Sequence, residues 1–421
     1  MTVLETKAAP GMIAKRFPAL GHRNFRRYAW GQAFSMGGTW LQSVALAWLV
    51  LELTNSGVIV GIVAAAQFVP PLVLSAFAGT IADRFDARRA VLWLQVILGL
   101  QATALAVLVF TDLAKVWSLI ALTFLQGIAW AFDPPVRQSL MNDLVGDDIF
   151  ANAIATNSAL AHLGSIVGPM IAALLISTVG TPWCFAVNAL SYVGMFFAIK
   201  SIRPEEMTHR EKITDASGSQ MAGFSYLRSR PDVVLLLGAL CISMLFAGRL
   251  EVLIPLLAKG ELRGGEQLFS NMNVARGLGS LGASLYVASR QSPPTIKGLR
   301  SGCICLVVAL ALAAIPIEPL GLRQVVVLVC LVFAGIGTMF AIVTTLSMSQ
   351  LLVSPSMRGR TAGVWFLCMN AGTVVGSPLV GWISDNFGNS TSLLLGALSM
   401  LIVFAITGPT AKAAKTARLP V

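Results

Sequence analysis

The stretch GTIADRFDARRA, which runs from Gly79 to Ala90, decides the fold because it is a short charged segment between two long apolar runs. Residues 58–78 precede it and residues 91–110 follow it. Each run has about the 20 residues that a helix needs to cross a bilayer. The stretch itself is too short to fold as a domain. We therefore predict a tight turn at a membrane surface, with its arginines at the level of the lipid headgroups.

The composition indicates that the whole chain is built for a membrane. Of its 421 residues, 56% are hydrophobic and only 12% are charged, and the mean hydropathy is +0.77. A soluble domain of this size would carry far more charge. The six cysteines lie in or beside apolar runs without the spacing of a metal site or a disulfide framework, so we expect packing residues and no bound metal.

Twelve apolar segments predict an all-α polytopic membrane protein with twelve transmembrane helices. If both termini lie on one side, 24 of the 30 Lys and Arg residues fall on that side and four on the other. This asymmetry predicts that both termini and the Gly79 hairpin are cytoplasmic. It also explains the net charge of +11, so we expect no nucleic-acid partner. The segments are 28–52, 57–82, 90–110, 116–138, 150–178, 182–200, 232–258, 266–289, 300–316, 323–350, 361–384 and 390–409.

A polar stretch with clustered charges and a Ser-Gly run divides these helices into two groups of six. A shift of 208 residues also maps three glycines of the first group onto glycines of the second, namely Gly164 onto Gly372, Gly168 onto Gly376 and Gly180 onto Gly388. We therefore predict two pseudo-symmetric six-helix bundles. The expected domains are a cytoplasmic N-terminal segment (1–27), a bundle (28–202), a cytoplasmic linker (203–231), a second bundle (232–409) and a cytoplasmic tail (410–421).

Polar side chains recur at helical spacing in two predicted helices, as Gln32, Ser35, Thr39 and Gln42 in the first and Gln126, Trp130, Asp133 and Arg137 in the fourth. A polar face in a membrane needs either a water-filled cavity or partners on another helix, and both interpretations stand. We expect Asp133 and Arg137 to pair, which would seat the helix end or contribute to a gate or substrate contact. Pro134 and Pro135 predict a break there.

Away from the ends of its predicted helices, the second half has three charged residues, Arg249, Glu251 and Arg276. Because Arg249 and Glu251 are two residues apart on a predicted helix, they should point in different directions. We therefore predict that Glu251 pairs with Arg276, in an ion pair that is either purely structural or part of a cavity. His162, near the middle of the fifth helix, either carries a proton or packs as a hydrogen-bonded residue.

These polar and charged residues define the candidate site. The predicted proton carriers are Asp133, His162 and Glu251. The predicted substrate cavity is lined by Ser35, Thr39, Gln42, Gln126, Trp130, Arg137, Arg249, Arg276 and Asn370.

The opening stretch resembles the signature between the second and third helices of the major facilitator superfamily, Gly-x-Leu-Ala-Asp-Arg-x-Gly-Arg-Arg. It departs from the signature with Ile81 for Leu and Asp86 for Gly. The segments FDPPVRQSL at 132–140 and HLGSIVGP at 162–169 extend the resemblance. The chain looks most like the third drug:proton antiporter group, which includes macrolide and enterobactin exporters. By this resemblance the candidate gating residues are Gly79, Asp83, Arg84, Arg88 and Arg89.

The resemblance implies a secondary transporter of the bacterial inner membrane, in which two bundles rock around a central cavity. It implies export of a small amphipathic organic molecule, such as a drug, siderophore or metabolite, by proton antiport. Asp83 would dock at the N-terminus of the eleventh helix and close the inner side. The alternatives are an uptake symporter or facilitator and a non-transporting receptor or assembly factor.

The same resemblance implies a monomer in the lipid bilayer, and the expected partners are the small-molecule substrate and protons. The sequence has no Gly-x-x-x-x-Gly-Lys-Ser/Thr loop for a nucleotide. We therefore expect that it is not an enzyme and that it needs no cofactor, with a proton gradient as its energy source.

Overall fold

A computed structural model describes residues 18–82, 85–207, 230–289, 295–353 and 357–416. Over these ranges the chain forms helices and no strands. Short 3₁₀ turns occur at Pro18–Gly21 and Pro204–Glu206, and a π-helical turn at Leu257–Glu261. The α-helices are α1 (Arg23–Thr54), α2 (Gly57–Ala66), α3 (Val69–Ala82), α4 (Ala87–Phe110), α5 (Val116–Val145), α6 (Asp147–Thr178), α7 (Thr181–Lys200), α8 (Pro231–Leu245), α9 (Leu250–Leu256), α10 (Gly265–Ser289), α11 (Ile296–Ala314), α12 (Leu320–Leu351), α13 (Arg358–Phe387) and α14 (Asn389–Thr416).

These helices make twelve passes, because α2 and α3 together form the second pass and α8 and α9 the seventh. In the described part of the chain, eleven helices are long and apolar enough to cross a membrane. The 25-residue α10 occupies the remaining position, the eighth. The predicted all-α polytopic fold is therefore confirmed.

The two proline pairs behave differently. The second pass breaks between Ala66 and Val69, just before Pro70 and Pro71, as expected for two residues that lack an amide donor. By contrast, α5 continues through its own proline pair, so the predicted break at Pro134 and Pro135 is wrong. The ion pair between Asp133 and Arg137 spans this turn. Membrane helices tolerate prolines where neighbouring helices or polar groups satisfy the freed backbone carbonyls, and α5 packs against α3, α4 and α6.

The first and last helices extend beyond the expected bundle boundaries. Helix α1 begins at Arg23, five residues before the predicted start, and α14 continues to Thr416. Asn24 anchors the early start, because its side chain donates to the Arg203 carbonyl at 2.9 Å and accepts from the Arg203 amide at 3.1 Å. The first turn of α1 is thus tied to the segment after α7, and it belongs to the bundle rather than to a separate N-terminal segment.

The internal repeat is visible in equivalent helix crossings. Gly164 and Gly168 let α6 lie directly on α1, and Gly372 and Gly376 let α13 lie directly on α8. A Cβ added at any of these four positions would overlap the facing helix, because it would come within 3.0 Å of its atoms. Small residues four apart permit this close approach. The two halves therefore use the same packing at the same point of the repeat.

The turns that follow these helices are equivalent too. Gly180 joins α6 to α7 with φ +94°, and Gly388 joins α13 to α14 with φ +85°. Side chains with a Cβ rarely adopt such φ values, so glycine is required at both places. The repeat seen in the sequence thus corresponds to repeated local geometry.

The two halves meet unevenly along the membrane normal. We call the end that holds the start of α1 and the end of α14 the terminal end, and the opposite end the far end. Near the far end, α2 packs along α13, and α9 contacts α1 and α2. Helix α3, which continues the second pass to the terminal end, meets α13 only slightly. Among the described residues, the contacts between these helices of the two halves therefore lie mainly toward the far end.

Gly335 controls the packing of α12 on α10. A Cβ there would lie 2.9 Å from the Ser280 amide nitrogen and would also overlap the Arg276 carbonyl. We expect Gly335→Ala to lower the free energy of unfolding by about 1–3 kcal/mol, because two backbones cannot yield as a side chain can. Thermal unfolding in detergent, followed by tryptophan fluorescence, measures the loss. Gly238→Ala is the control, since its Cβ meets nothing within 4 Å; equal melting temperatures for the two variants contradict this prediction.

Candidate functional site

The far end is closed by a carboxylate of one half that caps a helix of the other. Asp385, near the end of α13, accepts hydrogen bonds from the Gly57 amide at 2.7 Å and the Val58 amide at 3.0 Å. The Ser56 hydroxyl donates to the same carboxylate at 2.9 Å. Amides at a helix N-terminus have no intrahelical partner and carry partial positive charge. Asp385 therefore joins the halves through charge-assisted hydrogen bonds to the start of α2.

A cation of the second half makes the complementary contact at the end of α1. The Lys259 ammonium donates to the Leu51 carbonyl at 3.1 Å, where the last carbonyls of a helix favour positive charge. Beside it, the rings of Trp48 and Phe269 stack with centroids 4.6 Å apart. Ser270 of α10 also donates to the Ala173 carbonyl of α6 at 2.5 Å. Sequence reasoning missed Asp385 and Lys259; the available signal was a charged residue at the far end of an apolar segment.

Beneath these polar contacts the helix backbones touch. A Cβ at Gly61 would overlap the Ser377 backbone, and a Cβ at Gly381 would overlap the Gly57 backbone. Across the other junction, a Cβ at Gly277 of α10 would lie 2.9 Å from the Met170 side chain of α6. Direct backbone contact leaves no passage for a solute between these helices, so the space between the halves is closed at the far end.

Arg249 and Glu251 form an ion pair at the base of this closed region. Their side chains approach to 2.9 Å, and Arg249 also donates to the Ser377 hydroxyl at 3.3 Å. The predicted pairing of Glu251 with Arg276 is therefore wrong. The reason is local: α8 ends at Leu245 and Arg249 lies outside helical geometry, with φ −95° and ψ 28°. Helical spacing does not apply across that interruption.

Arg276 is left without a partner in the described part of the chain. It is partly buried on α10, and it makes no hydrogen bond or ion pair with the described residues. None of its side-chain nitrogens is fully buried without a hydrogen-bond partner. The guanidinium is therefore not sealed off, and its place on a cavity wall stays a prediction.

In the first half, Arg137 is the centre of a buried polar cluster. It donates to the Gln32 side chain and, at 2.5 Å, to Asp133. The i, i+4 pair predicted from the sequence is thus present. The side chain of Arg137 is 5% exposed and that of Asp133 is 14% exposed. The pair lies inside the bundle rather than on an open cavity wall.

The polar face of α1 also turns into the bundle. Thr39 lies 3.0 Å from the Tyr192 hydroxyl, and Gln42 bonds both Gln126 and Asn188, at 3.2 and 2.8 Å. Four predicted cavity residues, Ser35, Thr39, Gln42 and Gln126, are each at most 2% exposed. In this arrangement they do not line the space between the halves, so hydrogen bonding between helices is the interpretation that fits. Sequence reasoning missed Asn188 and Tyr192, although their i, i+4 spacing on α7 was a signal.

Three further candidates are only partly buried. Trp130 packs edge-on against Phe68 at the break of the second pass, with centroids 6.1 Å apart. His162 of α6 and Asn370 of α13 make no side-chain hydrogen bond within the described residues. They are 208 residues apart, so they occupy equivalent positions of the repeat. His162 follows the exposed Ala155 and Ser158 by seven and four residues, which places it on the same small-residue face of α6.

In the opening stretch, Gly79 lies in α3, and Asp83 and Arg84 lie outside the described residues. Arg88 donates to the Ile199 and Lys200 carbonyls at 3.3 and 2.9 Å, so it caps the end of α7. The amide of the exposed Arg89 donates to the Asp86 side chain at 2.8 Å. Asp86, which departs from the family signature, is therefore the N-cap of α4.

Two repeated halves of membrane-crossing helices, joined at one end and enclosing charged side chains, define a transporter of the major facilitator type. The chain belongs to the transmembrane secretion effector family of this superfamily, whose sequence profile matches residues 14–417.

Relatives of the chain align over nearly its whole length. It is 23% identical to the staphyloferrin A transporter of Staphylococcus aureus, covering 87% of this chain and 91% of the relative. It is 21% identical to macrolide efflux protein A of Streptococcus pyogenes, and the alignment covers 90% of this chain and 93% of the relative. It is 24% identical to the enterobactin exporter EntS of Escherichia coli, covering 91% and 90%. The predicted family is therefore confirmed.

Solved structures agree on the fold. A bacterial homologue of the iron transporter ferroportin superposes with a TM-score of 0.69 at 14% identity, covering 92% of this chain and 98% of that one. The nucleoside transporter NupG superposes with a TM-score of 0.67 at 12% identity, and the superposition covers 93% of this chain and 99% of NupG. At these identities the similarity defines the architecture and not the substrate.

Asp385 offers a test of the closed end. We expect Asp385→Asn to reduce the ratio of closed to open molecules about tenfold, because it removes the charge from three hydrogen bonds. Spin labels at Leu113 and Phe387, both 62% exposed and in different halves, report the separation of the far end by double electron–electron resonance in a cysteine-free background. Glu266→Gln, at an exposed acidic residue of the same end, is the control. An unchanged distance distribution in Asp385→Asn contradicts the capping role.

The Asp133–Arg137 pair offers a second test. Arg137→Gln should lower the free energy of unfolding by about 3–5 kcal/mol, because it leaves a buried carboxylate uncompensated. Asp133→Asn combined with Arg137→Gln should recover most of the loss, as judged by thermal unfolding in detergent. Arg203→Gln is the control, since its ion pair with Glu206 is 51% and 42% exposed. A double variant as unstable as the single one argues against a structural pair.

Proposed function

We propose that this protein exports a small amphipathic organic molecule from the cytoplasm by alternating access, driven by inward proton flow. The observation that carries the proposal is the one-sided closure: in the described part of the chain, the halves are joined at the far end and make few contacts toward the terminal end. Relatives named as an efflux protein and an exporter support the outward direction.

The orientation follows from the charge distribution. Most Lys and Arg residues lie on the terminal side, and the positive-inside rule places that side in the cytoplasm. Both termini are then cytoplasmic, and the protein crosses the bacterial inner membrane. In this orientation the described arrangement opens to the cytoplasm, which is the state in which an exporter loads its substrate.

The return step needs a contact that closes the terminal end while the far end opens. In the proposed cycle, Asp83 docks at the start of α13, and Asp385 releases the start of α2. The second and eleventh passes would then hold each other in turn, each by a carboxylate at the N-terminus of the other. Rigid rocking of the halves needs only that one contact form as the other breaks.

We assign proton coupling to one or more of Asp133, His162 and Glu251. Of the two carboxylates, Glu251 is more accessible than Asp133, because its side chain is 36% exposed and that of Asp133 is 14% exposed. His162 lies on the small-residue face of α6, and its ring makes no hydrogen bond within the described ranges. Each can change charge within the membrane, where a charge needs water or a counter-ion. No bound cofactor is required, because the proton gradient supplies the energy.

Everted membrane vesicles test export and coupling together. With an acidified lumen, we expect a macrolide or a siderophore to accumulate inside and protons to leave. Asp133→Asn, His162→Gln and Glu251→Gln are each measured, and at least one should abolish accumulation driven by the gradient. Glu206→Gln, an exposed carboxylate of the terminal end, is the control. Undiminished proton-linked export in all three variants contradicts the proton carriers, and accumulation in right-side-out vesicles instead favours uptake by symport.

A further inference from the structure

Arg276 is a cation within the membrane that no side chain neutralises in the described part of the chain. The nearby charges that act on it are Glu251 and Arg249. Glu251, however, is already held by Arg249 at 2.9 Å. A charged side chain in a membrane segment is costly, and such residues face a water-filled cavity or a partner. Among the described residues Arg276 therefore has no counter-ion of its own, although a counter-ion inside the membrane would be strongly stabilising.

The position of Arg276 on α10 indicates where that counter-ion would come from. Leu278 and Leu285 are 50% and 63% exposed, and they mark the lipid-facing side of the helix. Arg276 lies two residues before Leu278, about 200° around the helix, and thus on the opposite side. The next residue, Gly277, packs against Met170 of α6. Arg276 therefore lies beside the junction of the two halves, at the base of the closed far end.

The charges inside the membrane passes, away from the two membrane surfaces, do not balance. In the described ranges, Arg137 is paired with Asp133, and Arg249 with Glu251. Arg276 adds one positive charge without a matching carboxylate. The space between the halves therefore carries a net positive charge when both pairs are intact.

We propose that Arg276 anchors an acidic group of the transported molecule, so that the substrate is an amphipathic organic anion, with a carboxylate as the recognised group. This inference rests on the proposed function. The guanidinium offers donors in a planar fork that matches both oxygens of a carboxylate. His162 and Asn370, on the equivalent helices α6 and α13, make no side-chain hydrogen bond with the described residues and are available to the rest of the transported molecule.

A direct test uses ligands with the same aromatic ring system and head groups of different charge. The probes are naphthoate, naphthamide and naphthylmethylamine, and the same three derivatives of pyrene. Binding is measured as the thermal stabilisation of the purified full-length protein in detergent, with sodium chloride alone as a separate arm. We expect that, for naphthalene or pyrene, the carboxylic acid stabilises the protein at concentrations about tenfold below those of the matching amide. The matching amine should stabilise the protein least.

Variants assign the preference to Arg276. Arg276→Gln should weaken binding of the acid about tenfold and remove its advantage over the amide, because the anion loses a charge-assisted contact. Arg276→Lys should keep part of the advantage, since it retains the charge without the fork. Arg300→Gln is the control: Arg300 lies 3.9 Å over the Phe404 ring, near the terminal end of α11, and its loss should leave the preference unchanged.

Several outcomes would overturn the proposal. These are no stabilisation by either acid, equal stabilisation by acid and amide, a full preference retained in Arg276→Gln, or an effect that chloride alone reproduces. Each variant's melting temperature without ligand shows whether it has folded. Because binding in detergent needs no gradient, an intact acid preference without export from vesicles would refute the proposed function and leave this inference standing.

Discussion

The structure depends on a single constraint, that a helix end inside or beside a membrane leaves amides or carbonyls that need partners. In this protein the two halves supply them to each other. Asp385 of α13 takes the free amides at the start of α2, and Lys259 takes a carbonyl at the end of α1. Both contacts match the sign of the helix end they meet. The halves therefore hold together through contacts that can break without disturbing either bundle.

The interior charges follow a related rule. In the first half, Arg137 and Asp133 satisfy each other within one bundle, and the polar face of α1 is used by neighbouring helices of the same bundle. In the second half, the pair Arg249–Glu251 lies at the junction and also reaches Ser377 of α13. Arg276 makes no hydrogen bond or ion pair with the residues that the structure describes. The first half thus uses polar residues chiefly for its own packing, whereas the second half presents charge to the space between the halves.

Several elements could be predicted from sequence because they depend on local spacing or composition. The apolar segments defined the passes, the repeat of Gly164 and Gly168 at Gly372 and Gly376 defined equivalent crossings, and the i, i+4 pair of Asp133 and Arg137 formed as expected. Other expectations failed where the backbone left regular geometry. The interruption before α9 turned Arg249 toward Glu251, and α5 continued through two prolines that were expected to end it.

By itself the sequence determined the helical membrane class, the division into two repeated halves and the family, because each follows from hydropathy, spacing or motif along the chain. Only the tertiary structure decided which polar residues face a neighbour and which face open space. It alone brought Asp385 to Gly57 across 328 positions of the chain. The physical reason is that a polar group in a membrane is satisfied by whatever partner folding brings near, and that partner has no fixed distance in sequence.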